Sequence, residues 1–148
     1  MSKLVQALLS GMLFTFFLDF FLFLGIKLNY IDFYEIDVYY NILFADNQNI
    51  YIYMILSVFF GTLIMYVSNK ISVIIITIIS ILISLSLIPS FGLALGEVLL
   101  KEENVKLENS KHIFIGDIYY NGRKKITFYD YELKKIINIK KENLKKIQ

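Results

Sequence analysis

The sequence predicts a membrane all-α bundle of three transmembrane helices followed by a small C-terminal antiparallel β meander. Three observations carry that expectation. Long apolar runs fill the first two-thirds of the 148 residues, which are 57% hydrophobic overall, against the 45 to 50% of an ordinary soluble domain. Charge divides unevenly. Residues 1–100 hold three Lys and six acidic residues, and residues 101–148 hold twelve Lys or Arg and seven acidic residues. The apolar spacing also changes from continuous runs to alternation near residue 112, as a change from buried helix to strand requires. Two units follow: a transmembrane region, 1–100, and a polar β-rich tail, 101–148.

The first run, Leu4 to Ile26, is interrupted only by Gln6 and Asp19. About 20 apolar residues cross the hydrocarbon as a helix. A signal peptide has a shorter apolar core and a small-residue cleavage site. The run instead ends Leu24-Gly25-Ile26-Lys27, which predicts a retained span over 4–26. The second span is expected over 50–67, bounded by Asn49 and Ser68-Asn69-Lys70. The third run, Ile71 to Leu100, is too long for one crossing at ~1.5 Å per residue. Pro89 lies within it. Proline has no amide to donate to the carbonyl of Leu85, so the span should end near 71–88 and leave a kinked exit over 89–100. Spans two and three should form a tight hairpin. Residues 27–49 hold four carboxylates and many aromatics. They suit an interfacial helix with tyrosines at headgroup depth, and equally an irregular loop.

In the tail, HIFIGDIYY-NG-RKKITFYD reads as a hairpin. Asn121-Gly122 would supply the positive φ angles of a two-residue type I′ turn. DYEL is a second turn and KKIINIK a third strand, with 140–148 a short helix or a frayed end. A three-stranded sheet of this size is not stable alone. It should need a partner chain, a second copy or the membrane face.

Asp19 is the most conspicuous candidate for function. A carboxylate in mid-span costs ~2.5 to 3.5 kcal/mol on insertion scales. No Lys, Arg or His falls within the three spans. Asp19 should therefore be neutral and hydrogen-bonded, with Thr15, Ser57, Thr62, Thr77, Ser80 or Ser84 as in-chain candidates, or paired with another subunit, or an ion site. Small residues four apart let helices approach closely in lipid. The pairs are Ser57 and Gly61, Ser80 and Ser84, and Gly92 and Gly96. The first two pairs should pack span two on span three, and the glycines should relieve crowding at the kink. Basic Arg123, Lys124 and Lys125, with further Lys doublets and interleaved Tyr and Phe, form a candidate contact for anionic lipid or a partner protein. Seven acidic residues dilute the tail, so nucleic acid is not the expected partner.

The chain has no Cys and one His, which excludes disulfides, thiolate catalysis and His- or Cys-built metal sites. His112 reads as a strand-edge residue, and Asp117, Asp130 and Glu132 form no paired arrangement on spacing. GLALG does not match a phosphate-binding pattern. No catalytic residue, cofactor or metal is expected. Heavy use of Ile, Lys, Asn, Tyr and Phe looks like an AT-rich bacterial genome, and with the apolar spans the expected location is a bacterial inner membrane. Lys27, Lys101, Lys106 and Lys111 on one side against Lys3 and Lys70 on the other favour a cytoplasmic tail by the positive-inside rule. The expected function is a non-enzymatic accessory or structural subunit of an inner-membrane assembly, of respiratory, secretion or flagellar type. Its partners would be lipids and other subunits or further copies of itself. The alternative is a small homo-oligomeric proton or cation pathway using Asp19.

Overall fold

A computed structural model describes residues 2–109 and 112–147. Lys111, one of the cations weighed for orientation, lies outside these residues, as do Met1, Ser110 and Gln148. The protein is mostly helical, with an antiparallel sheet at its C-terminal end. Helix α1 spans Lys3–Ile26 and continues as a wide turn over Lys27–Ile31. Helices α2 (Tyr40–Asn47) and α3 (Ile50–Tyr66) follow, bent by 84° at their junction. Asn49 causes the new start at α3, because its side chain accepts the orphan amides of Tyr51 and Ile52. Helix α4 covers Asn69–Ser84. Two helices, Lys3–Ile31 and Asn69–Leu87, are long and apolar enough to cross a membrane, and a third crossing results if α2 and α3 are one broken span. Residues 27–49, for which a helix and an irregular loop were both open, divide into a wide turn, an extended stretch and a short α2.

Pro89 breaks the third run outright and does more than kink it. After α4 a short 3₁₀ turn, Leu85–Leu87, leads to Ile88 in an extended conformation. Pro89 then opens an independent helix, α5 (Pro89–Leu100), at its first position. Both features follow from proline: it disfavours helix in the preceding residue and is pre-set for the first helical position.

Four longer strands build the sheet: β1 (Glu102–Glu108), β2 (Ile113–Asn121), β3 (Lys125–Asp130) and β4 (Lys135–Lys140). A three-residue β5 (Lys145–Ile147) adds to the free edge of β1, giving the order β4-β3-β2-β1-β5. The chain therefore crosses from one edge of the sheet to the other through the Lys141–Asn143 turn. Val105, Leu107, Ile118, Ile126, Phe128 and Ile139 are buried on one face, and Leu144 of the crossing packs against them.

The meander of three strands was thus an underestimate. Strand β1 alternates only Val105 and Leu107 with polar residues, too short a signal to read beforehand. The Asn121-Gly122 turn also differs from expectation. No glycine among the described residues has positive φ, and Asn121 pairs with Ile126, so the connection is longer than two residues. A bulge between Ile118 and Tyr120 re-registers the strand. It leaves Tyr119 stacked on Tyr129, while Tyr120 packs with Leu43 and Leu100. In the next turn Lys134 has the positive φ, and Asp130 accepts from the Glu132 and Leu133 amides.

Candidate functional site: the bundle mouth and the sheet junction

Helices α1 and α3 are antiparallel and touch backbone to backbone. A Cβ added at Gly11 would lie 1.9 Å from the Ser57 carbonyl oxygen, and one at Gly61 would lie 2.2 Å from that of Ala7. Ser57 and Gly61 thus make a close helix contact, but with α1 and not with α4. Its other half is Ala7-x-x-x-Gly11, a small-residue pair that the sequence displays and that the reading of spans two and three alone overlooked. Ser57 donates to the Tyr53 carbonyl, and Tyr53 donates to that of Met12. Helix α4 rests on this pair through Ile75, Ile76 and Ile79, and buried Ser72 donates to the Leu63 carbonyl at 2.6 Å. Ser80 is half-buried and Ser84 exposed; the Ser84 hydroxyl donates to the Ser80 carbonyl within α4.

This packing fixes the depth of Asp19. With Ala7 facing Gly61 and Gly11 facing Ser57, the same register brings Leu18 opposite Ile50. Asp19 is level with the first residue of α3, at the mouth of the α1–α3 contact. Its hydrogen-bond partner is Gln48, whose amide nitrogen donates to the carboxylate at 3.1 Å. None of the candidate hydroxyls bonds to it. Thr15, one turn earlier on α1, is fully buried with its hydroxyl unpartnered among the described residues. Gln48 was missed because it lies outside the spans in which partners were sought.

Beyond Asp19, α1 enters different surroundings. Ile26, Tyr30, Ile31 and Leu43 are fully buried, with Phe23, Ile36, Leu100 and Tyr120 around them. Ser86 clamps the end of α4 to α1: its hydroxyl donates to the Phe21 carbonyl, and its own carbonyl accepts from Asn29 at 3.0 Å. Phe21, Gly25 and Asn29 share one face of the helix, and only glycine fits at 25, where a Cβ would meet Ser86 at 2.3 Å. Gly92 and Gly96 seat α5 on the wide turn, against Asn29 and the Tyr30 ring. Their role is a helix contact with the first span.

The sheet docks on the same turn. Tyr30 donates to the Tyr119 carbonyl at 2.9 Å, and the Tyr34 and Tyr119 rings lie 4.4 Å apart. Tyr34 donates to Glu97 at 3.3 Å. Burial raises the pKa of Tyr34 above the ordinary phenol value, with Tyr119 and Glu97 adding to the effect. At the edge of this contact Asp117 accepts from Tyr131 and from the Asn104 amide, and Lys101 stands 3.6 Å away. Asn104 adopts φ 55° in the β1 bulge to present that amide. Burial works against the Asp117 carboxylate, but the Tyr131 and Asn104 hydrogen bonds and the Lys101 charge outweigh it and hold its pKa below the ordinary value. Lys101 is held above its ordinary value, first by Glu103 and then by Asp117. Residues 27–49 and α5 of the same chain thus pack against the sheet.

The basic triplet sits at the β2–β3 tip. Arg123 forms a bidentate pair with Asp46 of α2 at 2.6 to 2.9 Å, and Lys125 stands 3.8 Å from Asp37. Lys124 is exposed. Comparison with known proteins finds no matching family model, no similar curated protein and no similar solved structure. Among the described residues, no three His, Asp or Glu gather as metal ligands. The arrangement binds its own parts together; the chemistry on display is docking.

Proposed function

We propose that this chain is a non-enzymatic accessory or structural subunit of a bacterial inner-membrane complex of respiratory, secretion or flagellar type. In this reading α1, α3 and α4 lie in the bilayer and the sheet lies in the cytoplasm. The observation that carries it is an apolar patch where lipid is not expected. The outer face of the sheet exposes Ile113 and Ile115 on β2 and Ile136 on β4, with Tyr131 and Leu133 in the turn beside them. Exposed apolar surface on a polar module marks a protein contact. Docking of the sheet on residues 27–49 and α5 leaves this patch exposed, so it is available for a neighbour. Orientation draws support from the fold: Lys27 and Lys101 share the sheet side, and Lys3 and Lys70 share the opposite end. The alternative, a proton or cation pathway through Asp19, gains nothing from a carboxylate that is bonded to Gln48 at the bundle mouth.

The test is purification of the tagged native protein in mild detergent. The reading expects defined membrane subunits or further copies of the chain to co-purify, and expects Ile115→Asp with Ile136→Asp to release them while the protein stays in the membrane. A stable monomer with the patch bare would defeat it.

A further inference from the structure

The fold gathers five cations at one end of the sheet. Strand pairing sets Lys125 directly opposite Lys140, and the Lys141 amide donates to the Lys124 carbonyl at 3.1 Å. Arg123 completes the group. Two carboxylates pair with it, Asp46 and Asp37, and Glu142 is exposed at its rim. The group keeps a net positive charge. Like charges directly opposite on neighbouring strands are unfavourable; Asp37, 3.8 Å from Lys125, supplies one anion for the Lys125–Lys140 pair, and the excess of cations over carboxylates in the group leaves room for a further one.

The position of the group points to that anion. Arg123 is anchored on Asp46, two residues before Gln48, which bonds to Asp19, and four before Ile50, where the apolar surface of α3 begins. Ile50 and Tyr51, four and five residues after Asp46, are 60% and 77% exposed, and Tyr39, on the cleft between residues 36–42 and the hairpin tip, is 74% exposed. Cations joined to exposed tyrosines and to the start of an apolar helix suit a lipid interface.

We propose that this basic end of the sheet, made of Lys124, Lys125, Lys140 and Lys141 around the Arg123–Asp46 anchor, receives the phosphates of anionic lipid headgroups and seats the sheet on the leaflet at the bundle mouth. The proposal rests on the reading that the helices lie in a bilayer. It adds Lys140 and Lys141, which are distant in sequence from the β2–β3 tip and reach it only through the fold.

The test uses the full chain in neutral-detergent micelles. Binding of phosphatidylglycerol and of phosphatidylcholine is compared by native mass spectrometry. The key variant carries Lys124→Gln, Lys140→Gln and Lys141→Gln, which leaves both ion pairs intact; a second carries Arg at the same three positions. Membrane integration of each is checked by alkaline carbonate extraction. Each lysine should contribute about fivefold near an anionic surface, so the Gln variant should lose at least tenfold of the preference for phosphatidylglycerol, and the Arg variant should keep it. Equal binding of the two lipids by a wild-type protein that resists carbonate overturns the lipid site alone. So does a preference that survives in the Gln variant. Displacement of the lipid by millimolar inorganic phosphate, or tighter binding of a single-stranded oligonucleotide, assigns the cations to another ligand and also overturns it. Extraction of the wild type by carbonate overturns the membrane reading together with the site.

Discussion

The two halves of α1 are dressed differently, although the sequence makes them look alike. Before Asp19 the helix shows Leu4, Leu9, Leu13, Phe16 and Phe17 outward, each more than 40% exposed, and meets α3 through glycine and backbone, with the Tyr53 hydrogen bond to the Met12 carbonyl beside them. After Asp19 it leaves Phe21 and Leu28 exposed but buries Phe23, Ile26, Tyr30 and Ile31 under α2, α5 and the sheet, with side-chain hydrogen bonds from Asn29, Tyr30, Tyr40 and Ser86. Association in the first half relies on close approach, as between helices in lipid. Association in the second half relies on burial of large side chains and satisfied polar groups. In the proposed reading this one continuous helix serves two solvents, and Asp19 with Gln48 marks where they change.

The comparison is broken most severely at Tyr30, which is fully buried in the junction and donates to Tyr119. Tyr30→Ala should cost about 3–5 kcal/mol, as large-to-small aromatic changes in cores do, and should release the sheet. The loss should appear in denaturation of the solubilised protein followed by tyrosine near-UV circular dichroism. Tyr30→Phe keeps the ring and should cost only about 1 kcal/mol. Gly11→Ala tests the other half. Its methyl group has no room beside Ser57, and such overpacking costs about 1–3 kcal/mol. Hydrogen exchange should speed up in α1 and α3 while the amides of β2 and β3 stay protected. Equal loosening of the sheet would show that the halves are one cooperative unit.

Acid sharpens the contrast further. The folded-state pKa of Asp117 lies below its ordinary value, so its contribution is complete above about pH 4 and is lost as pH falls through the folded-state value. The Asn104–Asp117–Tyr131 contact should loosen first, seen as faster exchange at the Asn104 amide, with α1 and α3 unaffected. Asp117→Asn should remove that pH dependence. The smallest effect is expected from Asp19→Asn. The new amide oxygen still accepts from Gln48, so stability should change by no more than about 1 kcal/mol. Abolition of a proton flux across liposomes by this substitution would instead favour the pathway reading.

Much of the fold was legible in the sequence. The apolar runs gave the helices within a few residues, and Pro89 gave the break. The alternation of β2, β3 and β4 gave the middle of the sheet. Other features depended on pairing between distant segments. Ser57 and Gly61 announced a close contact, but the choice of α1 over α4 depends on Ala7 and Gly11 at the matching depth. The level of Asp19 relative to α3, and so its bond to Gln48, depends on where α3 starts, which the first apolar run does not show. The dock for the sheet was hidden in residues 27–49, where Tyr30 and Tyr34 resemble an interfacial belt until Tyr119 is brought to them by a bulge.

The change of solvent along α1 can be measured directly, and the absence of cysteine from the chain makes the measurement simple. Single cysteines at Leu13, Val58 and Ile78 in the bundle, and at Phe33 and Tyr39 beside the sheet, are all at exposed positions. Each would carry a nitroxide spin label in protein reconstituted into liposomes. Power-saturation electron paramagnetic resonance then compares relaxation by oxygen, which partitions into hydrocarbon, with relaxation by a water-soluble nickel chelate. Labels at Leu13, Val58 and Ile78 should respond to oxygen and be shielded from nickel, the label at Phe33 should respond to nickel, and the label at Tyr39, on the rim of the lipid interface, should fall between them. Nickel accessibility at Leu13 and Val58 equal to that at Phe33 would contradict the account.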